Sequence, residues 1–210
     1  MGLLQEMRQQ RWDDHRFYHQ NRINQVLHLW SSICFAISYV WIFFDPIMAM
    51  LFGWLVGQVP RQAGHFFFEP KGYDTANDTT HEYKESIKPG YNLKRKLIML
   101  SIWIGGSIVL YLQPSLWGML GEAQVAQGFQ HNLGIYWLAV AVGALLFRTV
   151  QLMLTVNFTH GLAWFCKILT DPFHDMIIYY KAPYHLVKGN MMDDLSDWYD
   201  PTLKTGVQDA

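Results

Sequence analysis

At 210 residues the chain is the size of one domain, and a formal net charge of −1 gives neither the basic excess of a nucleic-acid binder nor the acidic excess of a disordered segment. Hydrophobic residues make up 51% and charged residues only 16%, with nine Trp and ten Met, so much of the surface faces something other than water. The two cysteines, Cys34 and Cys166, sit in separate apolar stretches without CxxC spacing, which excludes a disulfide framework and a thiolate zinc knuckle.

In chain order, the opening MGLLQEMRQQRWDDHRFYHQ has no uninterrupted apolar run and no small-residue cleavage site, so no cleaved secretory signal is expected. Glu6 stands where a myristoylation motif carries Ser or Thr. A membrane-crossing helix needs about 20 largely apolar residues, and four stretches approach that: 28–44, 46–68, 97–113 and 133–156. Asp45-Pro46 closes the first and opens the second as a cap and first-turn pair. The second carries Gln58, Pro60, Arg61 and His65 in its latter half and is expected to be polar and kinked there. Its Gly53-xxx-Gly57 pair permits close helix packing or a homodimer. Beyond the fourth, Gly161–Thr170 is apolar but short, and Asp171-Pro172 is expected to break it into an interfacial helix on the cytoplasmic leaflet, with 176–180 as a second such piece. The tail from 191 to 210 is acidic and polar and is expected to be loosely ordered.

Charge placement orients these stretches, because Lys and Arg in short loops bias those loops to the cytoplasm. No Lys or Arg occurs between residues 23 and 60 or between 97 and 147. Residues 1–210 are therefore expected to form a single all-α membrane domain. The expected arrangement is a four-helix, two-hairpin bundle with a cytoplasmic loop, interfacial C-terminal helices in 157–190 and both termini cytoplasmic.

The histidines sort on the same map. His15, His19, His28, His65, His81, His160, His174 and His185 fall on the cytoplasmic side and only His131 falls outside. One juxtamembrane histidine is ordinarily an interface residue; eight gathered on one face point to a metal. His15 and His19 are one helical turn apart, and Asn24 and His28 repeat the offset. His19 and His28 are half a turn out of phase on a straight helix, so a shared site needs a break between them, for which Asn21 and Asn24 are suited. His65 and Glu69 are again one turn apart. A carboxylate at that depth binds a metal, orients a ligand histidine or pairs with Arg61. His81 lies in the polar stretch THEYKE and joins by position.

Several imidazoles, a carboxylate and no thiolate cluster suit non-haem Fe(II), with zinc and copper as alternatives, and an incomplete protein shell leaves room for O2 and a substrate. A di-iron hydroxylase or desaturase would match the number of histidines, but its HxxHH boxes are missing. A haem carrier would want histidines facing one another inside the spans, and a small scaffold would need no metal.

The stretch Phe17-Tyr18-His19-Gln20-Asn21-Arg22-Ile23-Asn24-Gln25-Val26-Leu27-His28 and the later Gly64-His65-Phe66-Phe67-Phe68-Glu69 resemble the two signatures of the yeast-type 2-hydroxy fatty acid dioxygenase family. The resemblance covers about residues 17–70. It implies a small multispanning protein, a divergent bacterial-type member in the inner membrane, that uses Fe(II) and O2 to shorten a lipid-derived 2-hydroxy fatty acid by one carbon; the charge balance already argues against a nucleic-acid partner. It also implies His19, His28 and His65 as metal ligands, with Asn24 and Glu69 in catalytic or supporting roles. His81 is added as a ligand by position, and His15, His160, His174 and His185 stand in reserve. The C-terminal TDPFHDMIIYYKAPYH has no counterpart in that pattern.

Overall fold

The computed structural model describes residues 2–69, 71–75, 77–87 and 93–195, and all its regular elements are helices. They are α1 (Leu3–Tyr18), α2 (Arg22–Trp41), α3 (Pro46–Phe52), a π-helical segment (Gly53–Gln58), α4 (Val59–Phe67), α5 (His81–Ile87), α6 (Leu93–Leu112), α7 (Glu122–Ala126), α8 (Phe129–Thr155), α9 (Phe158–Tyr179) and α10 (Ala182–Val187). The all-α expectation holds. By length and composition α2 and α8 can cross a bilayer, and Leu97–Leu112 is a shorter apolar helix. Only 17% of the most apolar window of α8 is buried within the chain, and Val142, Leu146, Phe147, Val150 and Leu154 are exposed along it. An exposed apolar stripe of this length marks a contact surface for a membrane or another protein.

Asp45 caps α3 as expected: its Oδ1 accepts from the backbone N–H groups of Ile47 (3.1 Å) and Met48 (3.0 Å), with Pro46 in the first turn. From there α3, the π segment and α4 run on through Pro60 with helical backbone at each junction. Pro60 cannot donate to the carbonyl of Val56, and that carbonyl instead accepts from the Trp30 indole at 3.0 Å. Gly53 and Gly57 face α2 within the same chain. A Cβ on Gly57 would meet Cys34 Cβ at 3.2 Å, and one on Gly53 would meet Ser38 Oγ at 3.0 Å, so the pair serves an intrachain contact. Trp54, Trp103 and Trp137 pack in tilted and edge-on contacts beside Leu51 and join this rod to α6 and α8. Trp54 precedes His65 by about 16 Å of helix, so the aromatic core and the histidines occupy different levels.

Two expectations are corrected. The segment read as two interfacial pieces broken at Asp171-Pro172 is one 22-residue helix, α9, which continues through Pro172 and packs against α1, α2 and α8. The buried stripe Lys167, Asp171, Asp175 and Tyr179, one residue every turn, holds it in the body of the protein. The tail is also ordered over its first residues. The Arg22 N–H donates to Met191 O (2.8 Å) and the Asp193 N–H to Gln20 O (2.8 Å), strapping 191–195 across the start of α2. The remainder, 196–210, lies outside the described residues, as does part of the loop after His81.

Candidate metal centre

The chain turns a corner where the phase of His19 and His28 demands one. α1 ends at Tyr18, and Asn21 caps α2 by accepting from the Ile23 N–H (2.8 Å) and the Asn24 N–H (3.4 Å). Asn24 Nδ2 donates to Tyr18 O (2.8 Å) and Gln25 Nε2 to His19 O (2.7 Å), which fixes the corner from inside. α4 then approaches so closely that a Cβ on Gly64 would overlap Asn24 Oδ1. This contact delivers His65 to the corner.

His19, His28 and His65 each offer a ring nitrogen, and these atoms lie within 4.8 Å of one another. His28 Nε2 is 3.1 Å from His65 Nε2, and the ring centroids of His19 and His28 are 4.1 Å apart. All three side chains are buried, His28 completely. The three form a group that could hold a metal ion.

His65 and His19 are hydrogen-bonded from their far sides, and a carboxylate faces the far side of His28. His65 Nδ1 lies 3.1 Å from Glu69 Oε2; a carboxylate only accepts, so Nδ1 donates and Nε2 turns its lone pair inward. His28 Nδ1 is 3.6 Å from Asp175 Oδ2, a carboxylate itself fixed by Arg61 (3.0 Å) and Ser32 (3.3 Å). His19 Nδ1 is 2.9 Å from the Tyr179 hydroxyl, and its buried Nε2 has no hydrogen-bond partner. Outer groups of this kind set the tautomer and orientation of metal-binding histidines. Burial, with the neighbouring His28 and His65 and the charge of Arg61, holds His19 well below the usual imidazole range. It is therefore neutral, as a ligand must be.

Of the residues singled out in the sequence, His19, His28 and His65 come together, and Glu69 touches His65. Arg61 pairs with Asp175. Asn24 is fully buried at the corner. His81 opens α5 and is not part of the group. His15 meets the Tyr179 hydroxyl (3.1 Å), His160 pairs with Glu6 (2.7 Å) across α1 and α9, and His174 and His185 belong to α9 and α10. Asp175 and Tyr179 were not singled out. Their signal was the four-residue spacing of polar residues along an otherwise apolar helix. Protein-family models, curated proteins and solved structures contain no match to this chain.

Glu69→Gln removes the charge behind His65 and is expected to weaken metal binding about 10–100-fold, read by chelator competition; unchanged affinity would show that Glu69 does not orient the ligand. Acid should also weaken the metal-free fold. Burial lowers His15 to about 4, against roughly 6.5 in the unfolded chain. Between these values the unfolded state binds the proton, so stability is full above about pH 6.5 and falls as pH drops toward 4, by roughly 3 kcal/mol. His19 adds in the same direction. Melting curves across this window should be flatter for His15→Gln, and an unaltered slope would remove His15 as a cause.

Proposed function

We propose that the chain is an integral membrane, non-haem Fe(II) dioxygenase that cleaves the C1–C2 bond of a lipid-derived 2-hydroxy fatty acid. The observation that carries this reading is the buried three-histidine group with its far-side carboxylates. Three protein ligands leave coordination positions open, the arrangement of a catalytic rather than a structural centre. Bound there, iron supplies a site at which O2 and the hydroxyl and carboxylate of a substrate can be held together. One such group occurs among the described residues, which favours one iron over two.

The chain's own residues do the positioning. Glu69 orients His65, the Asp175 carboxylate faces His28 at 3.6 Å, and Arg61 balances Asp175. A lipid substrate is supported by an apolar groove of about 530 Å³ along α2, lined by Ile33, Ile37, Val40, Trp41, Phe44 and Met176 among others. The groove runs along α2, the helix that also carries His28, and Met176 of α9 adjoins Asp175. The pattern of residues 17–70 supports iron as the metal, and the charge map supports a site at the cytoplasmic edge.

The test is oxygen consumption by Fe(II)-loaded protein with a series of 2-hydroxyacyl substrates. The expected result is iron-dependent uptake, a product one carbon shorter, and rates that rise with chain length. Iron-loaded protein that consumes no O2 with any of them would end this reading.

A further inference from the structure

The Tyr179 hydroxyl stands between two imidazoles, 2.9 Å from His19 Nδ1 and 3.1 Å from His15 Nδ1. Tyr179 is 1% exposed and His15 3%, so water does not compete for these contacts. Beyond His15 is a carboxylate: His15 Nε2 lies 3.9 Å from Asp193 Oδ2. Asp193 is itself held by Arg22 (2.9 Å) and Gln25 (2.8 Å).

A hydroxyl has one proton to donate. Of the two facing nitrogens, one must therefore donate to the phenol oxygen while the other accepts from it. Two opposite directions satisfy the geometry, and only one of them frees His19 Nε2 to bind a metal. We propose that His19, Tyr179 and His15, oriented by the charge of Asp193, form a one-way hydrogen-bond chain that locks His19 as the Nδ1–H tautomer and keeps its Nε2 lone pair on the metal group. In this chain His19 Nδ1–H donates to the Tyr179 oxygen, Tyr179 O–H donates to His15 Nδ1, and His15 Nε2–H points toward the Asp193 carboxylate. The carboxylate of Asp193 sets the direction through its charge, which at 3.9 Å favours a proton on the His15 Nε2 that faces it. His15 and Tyr179 are thus positioning residues. His15, which shares the HxxxH spacing with His19, acts through the tyrosine and not as a ligand. The inference rests on the metal-centre reading for its purpose, while the tautomers it assigns belong to the metal-free protein as well.

The test uses the full chain in detergent, with 15N-labelled histidine, observed by NMR before and after addition of Co(II). In the metal-free wild type, His19 should be protonated at Nδ1 and His15 at Nε2. Tyr179→Phe should disturb both tautomers and weaken Co(II) binding about 10–100-fold. His15→Leu should weaken it comparably, because a phenol with no outward acceptor turns its proton onto His19. His15→Gln restores an acceptor and should recover much of the affinity. The double variant Tyr179→Phe/His15→Leu should bind no worse than Tyr179→Phe alone, since the effect of His15 passes through the hydroxyl. A His19 protonated at Nε2 in the metal-free wild type, or additive losses in the double variant, would overturn the chain. The assigned tautomers in a wild type that binds no Co(II) would keep the chain and remove the metal reading.

Discussion

Alanine at any one of His19, His28 or His65 is expected to abolish stoichiometric metal binding and, with it, oxygen consumption. The loss should exceed the roughly 10–100-fold cost of removing an outer partner such as Glu69, because each of the three nitrogens lies within 4.8 Å of the other two and none has a substitute in the group. His81→Ala and His160→Ala should keep full metal occupancy, since neither ring belongs to the group. Metal content of the purified variants, measured beside a melting curve to show that each is folded, separates these outcomes. Full occupancy in a folded His28→Ala protein would show that the centre is elsewhere.

The second large effect concerns the contact that seats α9. Lys167 is 4% exposed, and its Nζ lies 2.5 Å from Asp14 Oδ2 on α1 and 2.6 Å from Asp171 Oδ2 on α9. Burial alone would lower the pKa of this amine, but the two carboxylates outweigh it and hold the group above its ordinary range, so it stays charged. Arg11 Nε adds a contact to Asp171 at 3.2 Å. Lys167→Met leaves the buried Asp171 with Arg11 as its remaining cation and takes the lysine from the half-buried Asp14, and is expected to cost about 3 kcal/mol, the low end for a broken buried pair, seen as a melting point lower by on the order of 10 °C. Because α9 carries Asp175 and Tyr179 to the histidines, metal affinity should fall with it. Adding Asp14→Asn and Asp171→Asn removes the stranded charges and should recover part of the stability, while Lys181→Met, at an exposed position, should change little. A Lys167→Met protein that melts with the wild type would show that this pair does not hold α9 in place.

The site was more legible in the sequence than the fold around it. Short-range physics was enough for the corner: an Asn at position 21 signals a helix start, and the 3.6-residue period forbids His19 and His28 from meeting without a break. The i,i+4 offset of His65 and Glu69 gave their contact directly. What the sequence concealed depended on a proline. Pro172 was read as a terminator, because a proline inside a helix loses a hydrogen bond and crowds the preceding turn. That local cost hid the stripe of Lys167, Asp171, Asp175 and Tyr179, whose partners lie in α1, α2 and α4, more than a hundred residues away in the chain. With α9 read in halves, Asp175 and Tyr179 could not be placed behind His28 and His19. His81 shows the opposite error: being near the other histidines in a polar stretch gave no geometric constraint, and α5 does not bring it to the group.

The most direct test of the central claim is X-ray absorption at the iron edge of anaerobically purified, Fe(II)-loaded wild-type protein, with the iron-to-protein ratio measured on the same sample. The geometry of His19, His28 and His65 predicts one iron per chain with three imidazoles in its first shell and oxygen ligands completing it. An iron content no higher than that of a buffer blank, or a bound iron whose shell lacks the three imidazoles, would contradict it.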